Sequence, residues 1–473
     1  MIRIYCDSNI YRYLNLKHPS FNIKLLEAFE ALKDKMLFTF SDAHLHDLKD
    51  TPKHYAEADL LLMGDYVKDN YFMHDFITDK KTGPYLATPI EAFSSKNYAA
   101  YNQVLNNLFN IDGLLGGLDD FEEGRLLKGM IKSFFNMPIM ALGATMEPEK
   151  MDSKTKDWFE KFSPNYSPMM SLETFMNDMW PYSKNLLKDK KEVAELRRYI
   201  SSYMNRNEYS FERWGIEFNE KLKSSKIGKS FIEMIEGMLT GDQKKDLYQK
   251  FNYAYTLLEM YNITQERKKF NLESLNTDAL HSWYASFSDY LVTNDKGLQI
   301  KASIVYQLLG LPTKVLSLQD FINLKSILLG QEETYERFSA AFSYDFEHSF
   351  QLYNKEDLFK EEKVITYKTT HPYFNYFNRF QTIQSKESTI CAFYCDRESH
   401  ADFFMYREIE LIVNKMIDML GIDDDNRGRY DFTEKENYES DEKIRRWSKG
   451  DIKFTLLTSS KSWGQFPLSL LKL

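Results

Sequence analysis

Asp7, Asp47, Asp278 and Asp295 each stand beside a short apolar run, and together they could build one anionic pocket. Asp7 ends Ile2-Arg3-Ile4-Tyr5-Cys6-Asp7, and Asp47 follows Phe38-Thr39-Phe40 by way of Ser41 to His46. Asp278 opens Asp278-Ala279-Leu280-His281, and Asp295 closes Tyr290-Leu291-Val292-Thr293-Asn294-Asp295. Four converging carboxylates repel one another and need Mg²⁺ or Mn²⁺ to stay ionised. Such ions hold phosphate oxygens and activate water, which is the chemistry of phosphodiester hydrolysis. Asn9, Thr293 and Asn294 are placed to hydrogen-bond the acids and fix their orientation.

Elements must bring these residues together. The spacing predicts a buried strand over 2–6, helices over 8–16 and 21–35, a strand over 36–40, and a helix carrying Asp47 that Ser41 or Asp42 caps. From 64 to 269 the apolar spacing is helical, as in Leu126-Leu127-Met130-Ile131-Phe134, Phe231-Met234-Ile235-Met238 and Leu247-Phe251-Tyr255-Leu258. Alternating character then returns. A helix over 278–287 capped by Thr277, a strand over 290–293, a helix over 296–308 ended by Gly310 and Pro312, and a strand over 313–316 are expected. Asp7 and Asp295 would follow strands, where an open parallel sheet places its ligands.

These segments resemble the two halves of the PIN domain, a family of metal-dependent nucleases. Asp7-Ser8-Asn9 is similar to the family's Asp-Thr-Asn opening, and Ser41 to Leu48 to its segment ending in Glu-Leu. Asp278-Ala279-Leu280 and Val292-Thr293-Asn294-Asp295 resemble its last two acid motifs, and Thr313 to Phe321 its closing strand. Two departures stand out: the second acid is Asp47 rather than Glu, one methylene shorter, and a long segment separates it from the third. The resemblance implies an α/β fold with a PIN-like parallel sheet and flanking helices, divided as 1–65 and 265–325. Residues 66–264 would form an all-α insertion, and 326–473 a C-terminal accessory α/β domain. It further implies Asp7, Asp47, Asp278 and Asp295 as catalytic and metal-binding residues, Mg²⁺ or Mn²⁺ as cofactor, and a nucleic acid substrate, RNA favoured. A 5′-phosphate product and a role as a toxin or antiviral defence effector follow by analogy. A protein partner or regulator would act through the insertion or the C-terminal domain. The alternative is a non-catalytic interaction protein built on a degenerate PIN domain.

Composition bounds these readings. At 473 residues, two or three domains are expected. Gly and Pro number only 19 and 12, about half the usual share, which favours long helices. The net charge of −9, with no basic block, argues against a protein that coats nucleic acid. Cys6, Cys391 and Cys395 form no disulfide framework: Cys391 and Cys395 would lie about 13 Å apart along one strand face. A reducing cytoplasm is the expected setting, since a strand at the start leaves no room for a signal peptide and no apolar run reaches membrane-spanning length.

Other motifs carry less. His44 and His46 do not share a helix face, so with His54 they read as solvated or capping residues rather than a His-Asp phosphohydrolase centre. Gly228-Lys229-Ser230 lacks the glycine and the preceding strand of a phosphate loop. Asp423-x-Asp425-x-Arg427-Gly428 has calcium-loop spacing, but Arg427 takes a ligand position, so an acidic surface loop is expected. Arg445-Arg446-Trp447-Ser448-Lys449 reads as a phosphate and base contact, or as a solvated turn with one core Trp. Strands over 364–367, 390–395 and 453–457 and a helix over 402–420 stopped by Gly421 complete the C-terminal unit.

Overall fold

The computed structural model describes residues 1–75, 81–96, 228–239, 245–260, 272–329, 334–357, 362–384, 389–397, 401, 406–437, 443–458 and 468–472, with isolated positions from 153 to 223. The chain divides into two compact units. The first comprises 1–94, 207–259 and 276–473; the second comprises 95–206 and 260–275. Described positions of the second unit include a turn in which Met170 N–H bonds the Ser167 carbonyl.

The first unit holds two sheets. One has six strands in the order β4-β3-β2-β1-β5-β6, with β1 Arg3–Cys6, β2 Leu37–Ser41, β3 Asn70–His74, β4 Thr82–Leu86, β5 Tyr290–Val292 and β6 Lys314–Leu316. All neighbours are parallel except β3 and β4. β1 and β2 are buried throughout, as the strands of a sheet covered on both faces must be. Helices α1 Ser8–Arg12, α2 Ile23–Leu32, α3 Asp42–Leu48, α4 Lys53–Val67, α5 Pro89–Ser95, α6 Phe231–Met238, α7 Leu247–Met260, α8 Leu272–Ala285, α9 Lys296–Leu309 and α10 Leu318–Leu329 accompany it. Phe29 of α2 stacks on Phe38 of β2 and meets Phe321 of α10 edge-on, so one face of the sheet is closed by aromatic packing.

Two expectations are corrected here. Residues 70–86 are not part of a helical segment running from 66 to 264; they add β3 and β4 to the sheet, beyond the boundary expected at 65. The Gly83-Pro84 pair disguises β4, but an edge strand tolerates proline because its outer N–H row needs no partner. The helix carrying Asp278 also starts earlier, at Leu272, so Thr277 lies inside it and caps nothing. Expected helices such as 126–134 lie outside the described residues.

The second sheet is antiparallel, with seven strands in the order β11-β12-β13-β10-β9-β8-β7. They are β7 Gln351–Asp357, β8 Glu362–Tyr373, β9 Phe377–Gln384, β10 Thr389–Tyr394, β11 Lys443–Lys449, β12 Ile452–Thr458 and β13 Leu468–Lys472. Helix α11 Tyr335–His348 lays Phe338 and Phe342 on this sheet, against Tyr373, Phe380, Phe393 and Phe454. Helix α12 Arg407–Leu420 ends at Gly421, whose φ of 93° suits a residue without Cβ. Buried Glu408 of α12 receives hydrogen bonds from Arg3 Nε at 2.9 Å, Arg397 at 3.2 Å and the Met1 amine at 3.3 Å. This cluster joins β1 to the C-terminal region, and Asp289 extends it by accepting from Arg3 N–H at 2.7 Å.

The minor motifs resolve into structure. Ser230 caps α6 with Glu233 in a reciprocal capping box. Asp423 is buried rather than exposed; its carboxylate takes the N–H groups of Asp425, Arg427 and Gly428, with Arg445 alongside. Arg427 and Arg445 both bond Glu434, so guanidinium groups occupy the place of an ion. Arg445 and Trp447 are buried in β11, neither a solvated turn nor an exposed stacking surface. None of the three cysteines is in a disulfide, and all are buried. Among the described residues no helix is long and apolar enough to cross a membrane.

Candidate functional site

Strand order locates the site. From β1 the chain adds β2 and β3 on one side, then returns to lay β5 and β6 on the other. The reversal opens a crevice between the carboxyl ends of β1 and β5, where open α/β sheets take their ligands. Asp7 follows β1 there, and Thr293 follows β5. Asp7 N–H bonds the Val292 carbonyl at 3.0 Å. The Asp7 carboxylate caps α1 through the Ile10 N–H at 3.1 Å and accepts a second bond from the Thr293 hydroxyl. Burial pushes its pKa up, while the Thr293 bond and the nearby His281 oppose the rise.

Asp295 is the N-cap of α9, accepting from Gly297 N–H at 2.8 Å and Leu298 N–H at 3.1 Å. Its own N–H bonds Thr293 Oγ1 at 3.1 Å, so one hydroxyl ties Asp7 to Asp295. Of the three side chains expected to orient the acids, that of Thr293 contacts two acids. The other two expected orienting side chains do not share these contacts. Asn9 is exposed and turns its Oδ1 to Arg12, although its backbone N–H helps hold Asp7. Asn294 is exposed, and no hydrogen bond holds its side chain among the described residues.

Asp278 and His281 occupy one face of α8, three positions apart. His281 is buried and was not expected in the site. Its Nε2 donates to Asp47 Oδ2 at 3.0 Å, and its Nδ1 meets the Tyr5 hydroxyl at 2.8 Å. Tyr5 in turn reaches Ser41 Oγ at 2.7 Å. Burial lowers the His281 pKa, but Asp47, Asp7 and Asp278 raise it further, and the net shift is upward. Burial also works against the Asp47 carboxylate, yet the His281 bond and charge outweigh it and bring its pKa down to about 2. The Asp47 side chain keeps 31% of its surface exposed.

His44 behaves in the opposite way. It is buried, and burial followed by the His281 charge lowers its pKa to about 3. Ser41 N–H donates to its Nδ1 at 3.1 Å, so the proton sits on Nε2, which donates to the Cys6 carbonyl at 2.7 Å. It closes a capping box on α3, a capping residue but not a solvated one. His46 meets the Thr277 hydroxyl at 3.2 Å, and His54 is exposed.

Asp278 is half-buried, and its carboxylate has no hydrogen bond among the described residues. Burial lifts its pKa to about 7; Asp295 and Asp47 add to the rise, against Lys301 and His281. Lys301 is itself buried, paired with Glu259 at 2.9 Å and lying over the Tyr255 ring. The four aspartates therefore share one electrostatic neighbourhood: Asp7, Asp47 and Asp278 act on His281, and Asp295 acts on Asp278.

By charge, this neighbourhood fits a divalent cation, because burial first, and then the charges of Asp295 and Asp47, disfavour the Asp278 carboxylate. By spacing it does not yet gather one. Among the described residues no group of three or more His, Cys, Asp or Glu could hold a metal ion as arranged. The reason is local: Thr293 and Ile10 engage Asp7, His281 engages Asp47, and the α9 cap engages Asp295. A Ser-His-Asp nucleophile is also excluded by geometry. Ser8 Oγ, at 3.5 Å, and Asp47 both address His281 Nε2, whereas a triad needs them on opposite ring nitrogens. Comparison with known proteins finds no family model, no curated protein and no solved structure that matches this chain.

Proposed function

We propose that the chain is a PIN-like, metal-dependent nuclease that hydrolyses phosphodiester bonds, with RNA the favoured substrate and Mg²⁺ or Mn²⁺ the cofactor. The observation that carries this reading is the Asp278 carboxyl group. It stands without a hydrogen bond beside the sheet's carboxyl-end crevice, its pKa raised to about 7 by burial, with Asp295 and Asp47 adding to the rise. A cation would compensate the buried carboxylate and its acidic neighbours, and when bound it supplies an acidified water and neutralises phosphate charge. Asp7 and Asp295, joined through Thr293, give the crevice two carboxylates of fixed orientation. Asp278 supplies the third, free to turn. Asp47 completes the set only after leaving His281, whose ring N–H is then available to a phosphate oxygen. A partner or regulator would act through the segment between the two acid-bearing halves or through the C-terminal domain. Roles as a toxin or defence effector belong to this proposal.

A second reading has its own support. Three of the four carboxylates already have protein partners, as they would in a non-catalytic scaffold that kept the sheet and lost the ion. Calorimetric titration with Mn²⁺, paired with cleavage of single-stranded RNA and DNA with and without chelator, separates the two. The nuclease reading expects saturable Mn²⁺ binding and chelator-sensitive cleavage. Absence of Mn²⁺ binding overturns the nuclease reading and favours the scaffold.

A further inference from the structure

We propose, resting on the nuclease reading, that Lys301 competes with the divalent cation for Asp278, and that Glu259 keeps the site open by holding Lys301 away. Lys301 acts through Asp278, as a positioning residue.

Helix register supplies the placement. α8 and α9 run into β5 and β6, two neighbouring parallel strands, so the helices point the same way. The Tyr306 hydroxyl of α9 donates to the Ser282 carbonyl of α8 and fixes where they meet. Lys301 lies five residues before Tyr306, and Asp278 four before Ser282. At 1.5 Å per residue these are about 7.5 and about 6 Å, so the two side chains start nearly level on adjacent helices. They are not bonded. Lys301 Nζ donates instead to Glu259 Oε2 of α7 at 2.9 Å, while the Asp278 carboxylate has no hydrogen bond among the described residues. Even so, Lys301 leads the charges that favour the Asp278 carboxylate.

Burial makes the choice of partner matter. The Lys301 and Glu259 side chains keep only 4% and 11% of their surface exposed. A buried ammonium that loses its carboxylate is left uncompensated, which costs more than the pair itself gains. Lysine carries its charge on a flexible four-carbon stem and can turn to another partner. Tyr255 marks the shared ground: Lys301 lies 5.0 Å over its ring, and Asp278 and Glu259 both act on its hydroxyl. With Glu259 in place, Lys301 stays on α7 and Asp278 is available to a metal ion. Without it, the ammonium turns to Asp278 and takes the cation's place.

The test is calorimetric titration of the full chain with Mn²⁺, comparing the parent with Glu259→Gln, Lys301→Met and the double variant, each shown to be folded by its unfolding curve in EDTA. Glu259→Gln should bind Mn²⁺ more weakly by about tenfold or more, and Lys301→Met more tightly by about threefold or more. The double variant should bind at least as tightly as the parent, because no ammonium is left to compete. Loss of a helix clamp or of a metal ligand would not be repaired by removing Lys301. A double variant as weak as Glu259→Gln therefore overturns the proposal, and so does parent affinity in Glu259→Gln. If Glu259→Gln does not fold, Lys301→Met decides alone, and binding no tighter than the parent's overturns the proposal. A parent chain that binds no Mn²⁺ is a different failure: it removes the nuclease reading, and the competition with it.

Discussion

Asp47 Oδ2 and His281 Nε2 lie 3.0 Å apart although 234 positions separate them in the chain. The contact draws α3 to α8 and makes an ion pair of two side chains whose pKa values move apart. Asp47 is stabilised as the anion, with its pKa brought down to about 2, and His281 as the cation, with its pKa raised.

A pH window follows from those signs. A lowered carboxyl pKa gives stability that is present above the ordinary value near 4 and lost as pH falls toward 2. A raised histidine pKa gives stability that is present below about 6.5 and lost as pH rises through the folded value. The parent should therefore exceed Asp47→Asn in stability most between about pH 4 and 6.5. Partial exposure of Asp47 limits the difference to about 1 kcal/mol. Urea unfolding in EDTA at pH 3, 5.5 and 9 measures it. A difference that is largest at pH 9 would contradict the pairing.

Asp278 has the opposite sign. Its folded pKa, about 7, lies above the ordinary carboxyl value, so the folded state is penalised as pH rises from about 4 to 7. Asp278→Asn should match the parent at pH 4 and be more stable at pH 8 in EDTA. The gain should be about 2 kcal/mol, discounted for solvent from the roughly 4 that three pK units represent. Mn²⁺ should then stabilise the parent more than the variant. Equal stability of both proteins at pH 8 would show that the carboxyl group is not raised.

Glu408 sits at the other end of β1, buried with Arg3, Arg397 and the Met1 amine. Burial opposes its charge, but Arg3, the Met1 amine and Arg397 hold its pKa down at about 2, although burial brings the amine's own pKa down to about 5. Glu408→Gln leaves the buried Arg3 guanidinium without a counter-charge, while Arg397 keeps Asp289, and should cost about 3–5 kcal/mol in urea unfolding at pH 7. A loss below about 1 kcal/mol would show that the cluster is dispensable. Asp289→Asn touches the same cluster through Arg3 and Arg397, so Asp289 is no neutral surface position.

The elements that carry the acids are legible because their local signals agree. Ile2–Cys6 and Tyr290–Val292 are short apolar runs that end at an acid, and both are central parallel strands. Gly310 ends α9 in the left-handed conformation, as expected of a helix followed by Leu311-Pro312. β4 was hidden by Gly83-Pro84, and β3 by its place beside that edge, since only pairing explains either strand. His281 could have been found: it stands three positions after Asp278 on one helix face. Its pairing with Asp47 is tertiary and leaves no mark in the spacing. Nor does sequence tell that Asp7, Asp47 and Asp295 find protein partners while Asp278 does not, which is why the ligand geometry was not readable.

Asp295 offers the cleanest test of mechanism. Its Oδ1 caps α9 through two backbone N–H groups, and an asparagine caps a helix about as well as an aspartate. Asp295→Asn therefore keeps the helix start and the link to Thr293 while removing one negative charge from beside Asp278. Unfolding free energy in EDTA should stay within about 0.5 kcal/mol of the parent, or rise, because Asp278 loses a repelling neighbour. Cleavage of single-stranded RNA in Mn²⁺ should fall by about 100-fold or more, the scale on which a transition-state charge contact acts. Asp295→Ala removes cap and charge together and should lose about 1 kcal/mol of stability as well. Parent-level cleavage by a folded Asp295→Asn protein would remove Asp295 from the reaction and leave it a helix cap alone.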